Sequence, residues 1–219
     1  VPNLASMLGD AGYNLGYAGK WHVDQATAPS DYGFVGKDFP GYGYPAAGGI
    51  IEGLRFGGPW RQGTGHYGEY LAERGLEPPK VLEAFYGDNP GKQNQEMYAL
   101  QSGDIETTFE YMVSEFTLDL LRQFAADQQN DKPFFIWTNF WGPHTPCLLP
   151  EPYYSMYDPE SIPEEPSFSE TWERKPRVQE LYERFWGLRS AGWKGWREII
   201  ARYWGYVTMI DDLVGRILN

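Results

Sequence analysis

One cysteine, Cys147, stands in 219 residues. No intrachain disulfide can form, and Cys-rich zinc spacings are excluded, while the redox compartment stays open. No uninterrupted apolar run approaches the roughly 20 residues that a membrane helix needs. The first residues also lack a charged region followed by an apolar stretch. Basic residues are scarce: 18 Lys and Arg face 30 Asp and Glu, for a net charge of -12. A field of that sign repels phosphate backbones beyond the roughly 8 Å screening length of physiological salt, so nucleic acid is not an expected partner. An anionic small molecule binds only where local cations or a metal overrule the global field. Histidine is scarcer still, with only His22, His66 and His144.

Apolar and aromatic residues are not scarce. They make up 42% and 17% of the chain, with 9 Trp and 16 Tyr, enough for burial to offset chain entropy and give a globular fold. A chain of this length buries roughly 70% of its unfolded surface, and one domain is the default. It starts with Val1 and ends at Asn219 directly after a helical pattern that carries no stop signal, so it is read as an internal fragment.

Residues 2–11 predict a helix, with Pro2 in the first turn, Leu4, Met7, Leu8 and Ala11 on one face, and Gly12 at the exit. A strand follows, in which Tyr13, Leu15 and Tyr17 alternate with Asn14, Gly16 and Ala18. From about residue 35 to 103 neither period is sustained, and an irregular, Gly-, Pro- and Tyr-rich insertion is expected. Residues 106–126 return to a helical stripe of Phe109, Met112, Val113, Phe116, Leu120 and Phe124. The unbroken apolar run of residues 134–141, "FFIWTNFW", suits a strand buried on both faces in a parallel sheet. A Pro- and Glu-rich surface loop is expected over 150–176. A last helix then carries Trp196, Ile199, Ile200, Tyr203, Val207, Ile210, Val214 and Ile217 as its stripe, with Asp211 and Asp212 as a solvated face or cap. Helix, strand, helix, strand argues for an α/β fold.

Two strand ends carry the chemistry. In an extended chain residues i and i+2 share a face about 6.6 Å apart, so Lys20 and His22 form a pair while Trp21 packs behind them. Lysine offers a fixed charge to an anion, and histidine exchanges a proton near neutral pH. His144 follows the second strand in "GPHTP", where Pro143 and Pro146 limit the loop's freedom. Ligands of α/β sheets sit outside the carboxyl ends of strands, which is where all three residues fall. His66 lies among glycines and is read as structural. Tyr42, Tyr44, Trp60 and Tyr67 are candidate walls for a sugar or aryl group, with core packing as the competing reading.

Four blocks, "PNLASMLGDAGYNLGYAGKWH", "PSDYGF", "KPFFIWTNFWGPHTP" and "YWGYVTMIDDLVGRIL", together resemble the sulfatase family of the alkaline phosphatase superfamily. The resemblance implies an alkaline-phosphatase-like core sheet flanked by helices, incomplete here, with residues 1–219 forming part of one domain. It implies hydrolysis of sulfate monoesters, from a sulfated small molecule or glycan, by a formylglycine nucleophile beside a divalent cation, usually calcium. By that resemblance Lys20 binds a sulfate oxygen, His22 serves the nucleophile as a base, and His144 binds sulfate and protonates the leaving alcohol. The nucleophile motif C-x-P-x-R is absent, since Cys147 begins "CLLPE" and is read as a packing residue. The family's acidic metal ligands are also missing, so the modified residue and the calcium ligands are expected outside this fragment, the alternative being a degenerate relative that never had them. Residues 1–219 alone are therefore expected to be inactive. A phosphonate or phosphate ester hydrolase of the same superfamily and a carbohydrate-binding module are the competing readings.

Overall fold

A computed structural model describes residues 2–23, 26–40, 64–87, 95–127, 132–186 and 189–219. Helix α1, Leu4–Asp10, starts one residue later than its proline suggests. Asn3 is the cap, accepting from the Ser6 N–H at 2.9 Å while its own N–H donates to Ser6 Oγ at 3.1 Å. Its buried residue is Ala5; Leu4 and Met7, expected to face the core, are exposed.

Strand β1, Asn14–Trp21, is the centre of a three-stranded sheet. It pairs in parallel with β2, Val35–Pro40, on one side and β5, Phe134–Asn139, on the other. The alternation does what the sequence predicts. Leu15 and Tyr17 pack with Ala5 and Phe34, while Ala18 enters the larger core with Phe109, Met112, Val113 and Trp141. That core is built on α3, Phe109–Ala126, capped by Thr108, which accepts from the Tyr111 N–H at 3.1 Å. Its predicted stripe is buried from Phe109 to Leu120, with Phe124 partly so.

Strand β5 departs from expectation. It is paired on one side only among the described residues, and Phe134 and Trp137 stand 44% and 42% exposed. α3 covers one face, and the other is left largely open.

The region expected to be an irregular insertion is ordered over much of its described length. Besides β2 it holds α2, Thr64–Glu73, and two antiparallel strands, β3, Val81–Gly87, and β4, Gln95–Gln101. A short strand, β6, Cys147–Leu149, joins β4 in parallel to complete a second sheet. Cross-strand pairing overrides weak local signals here: Met97, Tyr98 and Ala99 are all buried between layers and show no alternation. Residues 150–176 form turns, from which Tyr153, Tyr154 and Ile162 dip into the core. A short helix, α4, Arg177–Trp186, precedes the last.

Helix α5, Gly192–Leu218, lies against β6 and α3. Its buried side is Ile199, Ala201, Gly205, Tyr206, Met209 and Leu213, rotated from the expected stripe. Tyr203, Val207 and Val214 face outward, about two-fifths exposed. The cause is Gly205: a Cβ there would lie 2.2 Å from the Tyr153 carbonyl oxygen, so only glycine admits this close approach. Asp212 accepts a hydrogen bond from the Tyr153 hydroxyl at 2.8 Å, and Asp211 is exposed.

Candidate active site

Strand register sets the site. Gly19 of β1 lies opposite Asn139, the last residue of β5, so β1 runs two residues further, through Lys20 and Trp21, along the same edge of the sheet that the loop after β5 leaves from. Closeness there depends on Gly19, whose φ is 104° and whose missing Cβ would sit 2.0 Å from the Asn139 carbonyl oxygen. Asn139 Nδ2 donates to the Tyr17 hydroxyl at 2.6 Å and to the Lys20 carbonyl at 3.2 Å, and Tyr17 donates to that same carbonyl. Together these bonds fix the backbone from which Lys20 and His22 project.

Lys20 Nζ lies 4.2 Å from the centroid of the Trp141 ring. The His144 ring packs on the same indole at 5.1 Å between centroids. Trp141 is buried, so its indole is a fixed surface that both the lysine and the histidine touch. His144 Nδ1 is 2.6 Å from the Thr145 carbonyl oxygen, which favours the tautomer protonated at Nδ1 and leaves Nε2 as the working atom.

Partial burial pulls the Lys20 ammonium below its ordinary pKa. Desolvation, then the charges of Lys20 and His144, holds the His22 imidazole below the usual histidine value. All three predicted residues thus stand within electrostatic reach of one another. A cavity of about 810 Å³ opens beside Lys20 and His22, walled by Tyr17, Trp21, Phe34, Trp137 and Asn139. Trp21 packs edge-on to Tyr17 at 5.5 Å and against Tyr32 at 5.6 Å, and lines the same cavity as Lys20 and His22 instead of lying behind them.

His66 stands on α2, edge-on to Phe116 and 3.5 Å from Glu69. Tyr67 is fully buried and donates to the Thr107 carbonyl, so it belongs to the core and is not a pocket wall. Tyr42, Tyr44 and Trp60 lie outside the described residues. Cys147 is 1% exposed, and burial, with Glu110 nearby, pushes its thiol up to about 12. A thiol so buried is inert as a nucleophile. Among the described residues no three His, Cys, Asp or Glu side chains gather to hold a metal ion.

Asn139, Trp141 and Tyr17 are the site-shaping residues that the sequence hides inside apolar runs. For Asn139 the signal is its place, a polar residue closing an apolar strand.

The family profile described as Sulfatase matches residues 1–219. An uncharacterized protein of Haemophilus influenzae (strain ATCC 51907 / DSM 11121 / KW20 / Rd) is 41% identical over 64 residues, 29% of this chain and 33% of its own. The multifunctional alkaline phosphatase superfamily protein PehA of Trinickia caryophylli is 24% identical across 98% of this chain and 42% of its own length. A sulfatase of Formosa agariphila (strain DSM 15362 / KCTC 12365 / LMG 23005 / KMM 3901 / M-2Alg 35-1) is 30% identical over 95 residues, 40% of this chain and 18% of its own. Among solved structures, the phosphonate monoester hydrolase SpPMH from Silicibacter pomeroyi shares the fold at TM-score 0.57 and 17% identity, over 99% of this chain and 43% of that one. The chain thus spans less than half the length of each of these relatives.

Proposed function

The chain belongs to the sulfatase family, and from that premise we propose that it supplies the anion-binding and proton-transfer edge of a sulfuric ester hydrolase acting on sulfate monoesters. The observation that carries this reading is the convergence of Lys20, His22 and His144 at the carboxyl ends of two parallel strands, with Lys20 and His144 both resting on the Trp141 ring.

Lys20 binds a non-bridging oxygen of the ester and offsets the charge that develops there; one such preorganised group is worth about 10²- to 10³-fold in rate. His22, kept deprotonated at neutral pH by its surroundings, accepts a proton. His144, when its ring is protonated on both nitrogens, presents Nε2–H toward the ester oxygen and donates that proton to the departing alcohol while Nδ1–H stays on the Thr145 carbonyl, a contribution of about 10²- to 10⁴-fold. The family's formylglycine and cation would supply the nucleophile and Lewis acidity. The described residues fit neither group, because Cys147 is buried and inert and no ligand cluster forms, so no step here runs through them.

The cavity beside Lys20 and His22 is rich in aromatic walls, suited to the sugar or aryl part of a sulfated small molecule or glycan. A phosphonate or phosphate monoester is the second reading, favoured by the PehA relative and the SpPMH fold.

The test is kcat/KM of the full-length protein on a sulfate and a phosphonate monoester of one phenol, with Lys20→Ala and His144→Ala beside it. Preference for the sulfate, lost in both variants, supports the proposal. A preference for the phosphonate installs the second reading, and variants that match the wild type on both esters remove the site.

A further inference from the structure

Glu110 is the most buried carboxyl among the described residues, 1% exposed in the first turn of α3. Its Oε1 accepts the Tyr206 hydroxyl at 2.5 Å from α5 and the Gly142 N–H at 3.2 Å from the loop after β5. Its Oε2 is buried with no hydrogen-bond partner among the described residues, and no cation is paired with it there. A carboxyl in that setting is expensive: apolar residues of similar volume commonly serve stability as well or better. Core stability alone therefore does not account for an acid at this position.

What the acid touches does account for it. Gly142 is two residues before His144, and its backbone is pressed against Tyr206 so closely that a Cβ would lie 2.7 Å from Tyr206 Cζ. Within the loop the His144 N–H donates to the Trp141 carbonyl at 3.3 Å, which passes the position of residue 142 on to the imidazole. Trp141, on the other side of Gly142, carries Lys20 on its ring. One carboxyl oxygen thus ties α3, α5 and the histidine loop at a single point.

We propose that Glu110 is a positioning residue: its Oε1 holds the Gly142 N–H, with Tyr206 completing the bond pair, and so fixes where the following loop presents His144. The functional half of this rests on the reading of His144 as the acid of the ester site. The geometric half does not. Among the described residues the titratable groups that face Glu110 are weak acids, Tyr206 from α5, Tyr67 from α2 and Cys147 from β6.

The experiment uses the full-length protein with Glu110→Ala, Glu110→Gln, Glu110→Met, Tyr206→Phe and His144→Ala. It measures kcat and KM on the ester that the enzyme turns over, together with deuterium uptake across residues 141–149. Glu110→Ala and Glu110→Met are expected to raise uptake in that segment and to lower kcat by about 10²-fold with KM little changed, the scale of a small misplacement at a reacting centre. Glu110→Gln keeps an acceptor oxygen and restores most of both readouts, with Tyr206→Phe intermediate. Glu110→Met fills the site without leaving a cavity, so it reports even where Glu110→Ala does not fold. Unchanged uptake in Glu110→Met overturns the proposal, as does wild-type kcat in that variant when His144→Ala is inactive. Raised uptake alongside a fully active His144→Ala keeps the positioning role and removes the ester reading of His144.

Discussion

Lys20 carries its ammonium 4.2 Å from the centroid of the buried Trp141 ring, a cation seated on an aromatic face at the end of a strand. Such contacts contribute about 0.5 to 2 kcal/mol, enough to hold the lysine extended toward the open edge. Trp141→Leu should therefore weaken ester turnover in the full-length enzyme by about 2- to 30-fold. Trp141→Phe, which keeps an aromatic face, should weaken it less. Equal losses in the two variants would count against the ring's role.

The His22 midpoint should lie below that of a free histidine, because desolvation and the positive charges of Lys20 and His144 all oppose protonation. Removing a positive neighbour raises the pKa. The His22 ring proton, followed by NMR from pH 4 to 8, should titrate at higher pH in Lys20→Met than in wild type. A midpoint that stays put would mean the two groups are farther apart than the structure shows.

Glu110 predicts an unusual stability profile. Burial raises its carboxyl from 4.5 to about 7, so the native chain holds its proton where the unfolded chain has lost it. Stability then falls as pH rises through that window, by an amount on the order of 3 kcal/mol if fully expressed. Glu110→Gln cannot lose a proton, and its advantage over wild type in Tm should be larger at pH 8.5 than at pH 5. Parallel profiles would show that Glu110 is already ionised at low pH.

Gly19→Ala should damage both fold and site. The new Cβ meets the Asn139 carbonyl at 2.0 Å, and the residue's φ of 104° disfavours any side chain. Strain of this kind costs about 1 to 3 kcal/mol. Urea unfolding should show the loss, and the Lys20 carbonyl should lose its bonds from Asn139 and Tyr17 at the same time.

Residues 1–219 prepared alone should self-associate. The outer edge of β5 is unpaired among the described residues, and Phe134 and Trp137 stand open beside it. Trp137→Lys should shift the species seen by analytical ultracentrifugation toward monomer. A monomeric wild-type chain at high concentration would refute this.

What was legible in the sequence follows from which forces act locally. The stripe of α3 and the alternation of β1 were readable because each side chain's partner lies across a face that the period itself defines. The place of Lys20, His22 and His144 at one edge of the sheet was readable because polar residues at strand ends break an apolar pattern. Strands β3 and β4 were not, since their stabilisation comes from each other and from β6 across long stretches of chain. Trp141 and Glu110 stayed hidden for the opposite reason: each looks like ordinary helix or core until its neighbour in space is known.

Helix α5 carries apolar residues on two sides, and composition does not say which should turn inward. The absence of one methyl group at Gly205 decides it, by letting the Tyr153 carbonyl sit against the helix backbone. The orientation of a 27-residue rod is therefore encoded at a single codon. Substitution there should act, through its clash with the Tyr153 carbonyl, like a wrong key, rolling Tyr206 away from Glu110 and loosening the His144 loop without touching either residue.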